Sequence, residues 1–320
     1  MVRFKDVDKA VMTVTGEEPS QWKGPVDAHN HVWIAPVAGA ATGSPLLDSY
    51  EPILEELKVF RAAGGGGILD CQPAGCGRDA RKLQSLSKEG GVPIVCCTGF
   101  HRQRYYSPDS LLWRQTSQAW ERFLTGEILE SVMETSGSDE PIRAGFIKVA
   151  AEASLEQTPR APLEAAAQAA VGTQAMVEVH TEKGADAENI FAFFLSNGVS
   201  PRQIVLCHMD KRPDFILHRD LAEAGVMLEY DTFYRPQYEP QKNLWPLLLR
   251  MVSSGCSNSI ALATDMAEPR LWSTLGEGPG LTGFLQVIRA RLIQEDIPAG
   301  LIQDLMGGNI LLRLAKPRIH

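Results

Sequence analysis

"AMVEVHTEKGADAENIFAFFLSNGVSPRQIVLCHM", residues 175–209, reads as one complete structural unit. An apolar, β-branched run (175–181) leads into a helix-like segment, "ENIFAFFLSNG" (188–198), closed by a glycine, and a second apolar run follows at 204–209. Near-continuous hydrophobic strands joined through a helix belong to a parallel sheet covered on both faces. The rhythm extends in both directions. Further runs at 26–32, 67–71, 93–100, 144–151, 226–232 and 259–265 bring the candidate strands to eight. Helix-like segments such as "SYEPILEELKVFRAAG" (49–64), "PLEAAAQAAVG" (162–172) and "FILHRDLAEAG" (215–225) lie between them. Eight such units in 320 residues predict an α/β fold, a single (β/α)8 TIM barrel spanning 1–320, with a doubly wound open sheet as the alternative. Residues 1–25 form a short N-terminal segment, and 101–143, between the third and fourth strands, is a long excursion rich in aromatic and Arg residues, a candidate lid.

Composition narrows the function classes. A net charge of −8 argues against a general nucleic-acid binder. No stretch approaches the ~18 apolar residues of a membrane span, and the opening "MVRFKDVDKAVMTVTG" lacks the apolar core of a secretory signal, so a cytoplasmic protein is expected. The six cysteines show neither zinc-ribbon nor redox spacing and are expected to be reduced, half-buried small hydrophobes.

The reactive side chains fall on the strands in a pattern. His29 and His31 lie in the first strand, Lys148 in the fourth, and His180 and His208 near the ends of the fifth and sixth. Asp265 ends the eighth. Barrel chemistry collects at the C-terminal ends of strands. Residues two apart share a strand face, so His29 and His31 can hold one metal while Asn30 points away. An HxH pair alone is a weak signal; the joint pattern is a stronger one. Lys148 sits inside "AGFIKVAA" (144–151), where an ammonium needs a partner or a chemical change. A lysine snorkelling to the mouth, or paired with Asp265, is the plainer reading.

The segments "VMTVTG", "DAHNHVWI", "GGGGILDCQPAGCGRD", "TGFHRQRYY", "GFIKVA", "EVHT", "CHMDKRPD", "ATDM" and "MGGNILLRLA" carry a resemblance across nearly the whole chain. Together they make it similar to the phosphotriesterase family of the amidohydrolase superfamily, with the lactonases of that family the closer comparison. The resemblance implies two divalent ions at the barrel mouth, with zinc expected and manganese, cobalt or iron as alternatives. His29, His31 and Asp265 would hold the more buried ion and His180 with His208 the more exposed one. Lys148, N6-carboxylated to a carbamate, would bridge them. It further implies a metal-bridging hydroxide as nucleophile, with Asp265 as the catalytic residue that takes its proton and passes it to the leaving group. Relatives often form dimers, so a homodimer is expected.

Departures from the family shape the substrate reading. Thr232 stands where the phosphotriesterases carry a relay histidine, which favours lactone over phosphotriester chemistry. Arg102, Arg104, Lys211, Arg212, Arg235 and Arg270, together with His101, crowd the predicted mouth and suit an anionic small molecule. Tyr105, Tyr106, Tyr234 and Trp272 are candidates to line apolar walls, with burial against the barrel rim the ordinary expectation for an aromatic residue. The expected function is therefore a metal-dependent hydrolase, a lactonase opening a polar or anionic sugar-type lactone. Alternatives are an amide or phosphoester hydrolase of the same family, a Schiff-base aldolase or lyase using Lys148, and a non-catalytic binding barrel.

Overall fold

The computed structural model describes residues 9–317 and contains a (β/α)8 barrel. Its parallel strands are β3 (Val26–Asn30), β4 (Gly67–Asp70), β5 (Ile94–Phe100), β6 (Phe146–Ala150), β7 (Val177–His180), β8 (Ile204–Cys207), β9 (Met227–Tyr230) and β10 (Ile260–Leu262). Each falls within one of the predicted runs. Strands pair in sequence order, and the seam between β10 and β3 is drawn together by the Asp265 amide donating to the His29 carbonyl at 2.9 Å. The Asp27 carboxylate reinforces it, accepting the Thr264 amide at 3.1 Å and the Asn30 side chain at 2.8 Å.

Helices cover the outside because their apolar residues recur on one face. In α1 (Tyr50–Ala62), Ile53, Leu54, Leu57 and Phe60 are buried; α2 (Ala80–Gly90) is N-capped by Asp79 and stopped by Gly91 at φ +66°. The series continues with α3 (Ser117–Leu129), α4 (Arg160–Thr173), α5 (Ala187–Ser196), α6 (Phe215–Glu223) and α7 (Leu244–Ser253), followed by shorter helical pieces up to Leu314. No helix among the described residues is long and apolar enough to cross a membrane.

The strand pleat sorts the barrel interior into layers. Leu69, Val95, Phe146, Met176, Val205, Met227 and Ala261 form a lower apolar layer. Two residues further along stand Cys71, Cys97, Lys148, Glu178, Cys207, Glu229 and Ala263, an upper layer in which three charged side chains lie among small ones. A register shift in β3 between Asp27 and Asn30 breaks the alternation, so that Ala28 joins the apolar interior while His29 reaches Lys148 and Glu229. Gly99, at φ +124°, is required where β5 meets β6: a Cβ there would lie 1.7 Å from the Lys148 carbonyl oxygen. All six cysteines are free and buried, more so than expected, and three of them fill the upper layer because a small side chain leaves room for Lys148.

Two regions differ from the sequence expectation. Of the N-terminal segment, residues 1–8 lie outside the described residues, but β1 (Lys9–Thr13) and β2 (Gly16–Pro19) form a hairpin joined by β11 (Lys316–Pro317). Val11 of this sheet, with Ile310, Leu311 and Leu314, packs onto the lower interior layer. In the 101–143 excursion, α3 lies on the barrel wall with Trp120, Leu124 and Ile128 buried rather than over the mouth. Buried Arg78 anchors it, donating to Glu127 at 2.6 and 2.8 Å and to Glu134 at 2.6 and 2.8 Å.

Candidate metal centre

His29, His31, Lys148, His180, His208 and Asp265 meet at the C-terminal mouth of the barrel. His29 Nε2 and His31 Nε2 lie 3.8 and 3.7 Å from Asp265 Oδ1. Those separations are long for hydrogen bonds, yet near what two ligands held at ~2.1 Å by one tetrahedral ion show. Each ring is aimed from behind. His29 Nδ1 donates to Glu229 Oε1 at 2.7 Å, and His31 Nδ1 donates to Gln72 Oε1 at 2.8 Å. Both Nε2 lone pairs are thereby turned toward the carboxylate.

The second pair presents an unresolved proton. His208 Nδ1 donates to Asp231 Oδ2 at 2.6 Å, so His208 Nε2 carries a lone pair, and it lies 2.8 Å from His180 Nδ1. Without a cation His180 must donate from Nδ1, and its Nε2 is then a buried acceptor with no hydrogen-bond partner. A cation would take both lone pairs once the rings part from this 2.8 Å contact toward the ~3.4 Å that two ligands of one tetrahedral ion need. The His180 proton would move to Nε2, which faces Glu182 Oε2 at 3.7 Å. The donor set therefore fits a divalent ion better than it fits the protein alone.

Lys148 lies beneath these groups, 1% exposed. Its Nζ donates to Glu178 Oε1 at 2.6 Å and stands 3.4 Å from both ring nitrogens of His29. Cys207 Sγ lies at 3.2 Å. Burial alone would push the amine down, but Cys207 and Glu178 beside it outweigh burial and hold it up. Among the histidines burial wins: it pushes His31 down to about 4 and His29 and His208 well below the ordinary range. They are neutral at pH 7, the form that ligates metal. Burial would raise Asp265, yet the Arg235 guanidinium 3.0 Å from Oδ2 keeps it below the usual carboxylate value.

Backbone strain marks the same residues. His208 (φ +62°) and Asp265 (φ +46°) are both in the left-handed region, which costs a non-glycine residue on the order of 1 kcal/mol. His208 directly follows β8 and Asp265 stands three residues past β10, both in the turns at the C-terminal ends of barrel strands.

Above the centre opens a cavity of about 380 Å³. His101, Tyr105, Lys211 and Arg235 line it, and so does the loop 34–46, a wall that sequence reasoning missed. Its base is closed by paired hydrogen bonds between Ile34 and Leu47 at 2.8 and 3.0 Å. Lys148 is not among the lining residues. The other predicted cations are engaged elsewhere: Arg102 bonds Glu152 and Glu182, Arg212 bonds Glu188, and Arg270 bonds Glu268. Arg104 stacks on Tyr105. Arg235 reaches the cavity but is held by Asp265 and Glu268. Lys211 alone among these cations lines it without an ion-pair partner among the described residues; its Nζ lies over the Tyr238 ring at 5.2 Å. Thr232 is buried and donates to Asp210. Tyr106 and Trp272 are buried, each spending its polar atom on the backbone.

Glu178, Glu229 and Asp231 were not foreseen. A signal was present for Glu178, a carboxylate inside a buried strand two residues before His180; Glu229, inside β9, and Asp231, just past its end, stand near no ligand in sequence.

Among curated proteins, the chain is 27% identical to a phospho-furanose lactonase of Mycoplasmopsis agalactiae over 255 residues, 74% of this chain and 70% of that one. It is 28% identical to the human N-acetyltaurine hydrolase over 295 residues, 86% and 82% of the two chains. Among solved structures, a lactonase from Listeria monocytogenes shares the fold with a TM-score of 0.85 at 23% identity, covering 97% of this chain and 100% of that one. The sequence model of the Phosphotriesterase family matches residues 11–280, and the chain therefore belongs to that family of metal-dependent hydrolases.

Proposed function

We propose that the chain is a binuclear metal-dependent hydrolase, a lactonase that opens a sugar-sized lactone bearing an anionic substituent. The observation that carries this reading is the convergence of His29, His31 and Asp265 beside the His180–His208 pair, directly below a cavity lined by Lys211, which has no ion-pair partner among the described residues. His29, His31 and Asp265 would hold one ion and His180 with His208 the other. The ions would supply a Lewis acid for the scissile carbonyl and an activated water at neutral pH.

The chain's own groups do the rest. Arg235 holds Asp265 Oδ2, and the Asp265 carboxylate takes the water's proton and returns it to the ring oxygen as the ester C–O bond breaks. Lys211 binds the substituent's oxyanion, while the loop 34–46 and Tyr105 exclude water from the ring. A cavity of about 380 Å³ suits a sugar-sized ring. The similarity to a phospho-furanose lactonase supports an ester over an amide.

Lys148 would help to hold the ions as a carbamate: loss of two protons and addition of carbon dioxide would exchange its ammonium for hard anionic oxygens. A Schiff-base role is disfavoured because the amine lies under the histidines, away from the cavity lining, on Glu178 at 2.6 Å. A second reading, cleavage of an N-acyl amino acid or sulfonate, draws on the similarity to N-acetyltaurine hydrolases, since Lys211 would hold a sulfonate equally well.

The test assays zinc-loaded protein against phosphorylated furanose lactones, neutral lactones, N-acyl taurines and phosphotriesters, with Asp265→Asn as control. Turnover highest on the phosphorylated lactone and lowered ~10³-fold or more by Asp265→Asn is the expected result. Preference for an N-acyl taurine would replace the lactonase reading, and undiminished activity in Asp265→Asn would remove the mechanism.

A further inference from the structure

In the assignment proposed above, neither ion takes a ligand from β9 or the residue that follows it, yet Glu229 and Asp231, at i and i+2, face the centre and lie close to His29 and His208. Glu229 bonds His29 Nδ1 at 2.7 Å, and Asp231 bonds His208 Nδ1 at 2.6 Å. One strand thus stands behind one histidine of each ion pair. The remaining two rings are backed differently: His31 has the neutral amide of Gln72, and the Nδ1 of His180 faces His208.

Glu229 is hard to explain as a structural residue. It is fully buried, and its Oε2 has no hydrogen-bond partner. In the metal-free chain the ammonium of Lys148 is already met by Glu178 at 2.6 Å, so it does not require a second carboxylate here. A buried carboxyl with an unpaired oxygen disfavours folding, and an apolar or amide side chain of similar size would fill the layer with less penalty. The arrangement becomes favourable once positive charge sits on the opposite nitrogen of His29, because a carboxylate behind an imidazole strengthens the ring as a donor.

We infer that Glu229 is a positioning residue for the buried ion site: it fixes His29 as the Nδ1–H tautomer, aims Nε2 at Asp265 and raises that site's affinity for a divalent cation at some expense to the stability of the metal-free chain. This rests on the metal-centre reading but not on any substrate. The experiment measures zinc stoichiometry and affinity by competition with a chromophoric chelator, and metal-free melting temperature, for wild type, Glu229→Gln and Glu229→Leu. Gln keeps an acceptor for Nδ1–H without the charge; one of the two zinc affinities should fall ~10-fold in Gln and ~100-fold in Leu while the other is unchanged. In Gln, which keeps an acceptor for His29 Nδ1–H, the metal-free melting temperature should stay level or rise. Gln, nearly isosteric, keeps the measurement available if Leu does not fold. Two ions held with wild-type affinity in Gln and in any folded Leu variant, or affinity and metal-free stability falling together in Gln, would overturn the inference. A wild-type chain that holds no zinc would overturn the metal centre itself, and is told apart by the wild-type titration.

Discussion

Lys211 and Arg235 show how little a cation's presence at a barrel mouth says until its partners are known. Arg235 is 8% exposed and divided between Asp265 and Glu268, so under the proposed function its work is to hold Asp265. Lys211 has no such commitment among the described residues, and a charge-assisted bond to an oxyanion contributes about 1.5–3 kcal/mol. Lys211→Met should therefore raise KM for a phosphorylated lactone ~10- to 100-fold with kcat little changed, and leave neutral lactones unaffected. Steady-state kinetics on both substrates check this; equal losses on both would remove Lys211 from substrate binding. The metal-ligand candidates were legible because His at strand ends is rare and Lys148 interrupts an apolar run. The pairing of Arg102, Arg212 and Arg270 was not, since Glu152, Glu182, Glu188 and Glu268 are read in sequence as ordinary surface charges.

The α6–β9 contact carries a stability prediction of its own. His218 of α6 is buried, accepting the Tyr230 hydroxyl at Nδ1 (2.7 Å) and donating from Nε2 to the Arg212 carbonyl (2.9 Å), and burial lowers its pKa to about 4. The unfolded chain, with an ordinary histidine near 6.5, takes up a proton first as pH falls. The sign follows: this contribution is fully present above about pH 6.5 and is lost as pH drops toward 4, about 3 kcal/mol in all. Urea unfolding at pH 7 and 4.5 should show a drop about 2 kcal/mol smaller in His218→Gln than in wild type. An unchanged drop would mean that His218 is not neutral in the native state. The strands themselves were legible as apolar runs because parallel strands are buried on both faces. Inward parity was harder to see: the register shift in β3 has no marker in "VDAHNHV", and Glu229 inside "VMLEYDT" looks like the solvent face of an alternating strand.

Across the molecule, the barrel is closed at its lower end by Val11 and the last helix, and opens at its upper end onto the cavity above the histidines. The closing sheet was not legible because its register joins Lys9 to Pro317 and Ala10 to Lys316, contacts between opposite ends of the chain with short polar strands between turns. The upper interior layer holds charge that a metal-free fold satisfies only in part, with Glu178, Glu229, Asp231 and His180 each leaving a buried polar atom unpaired. Ions that bind the native state alone stabilise it by mass action, so chelation should lower the melting temperature as well as abolish turnover. The most direct measurement strips the protein with a chelator and titrates zinc back while following the opening of a phosphorylated furanose lactone. Activity should be absent in the stripped protein and saturate near two zinc equivalents per chain. Full activity without metal, or saturation at one equivalent, would contradict a binuclear centre built on His29, His31, Lys148, His180, His208 and Asp265.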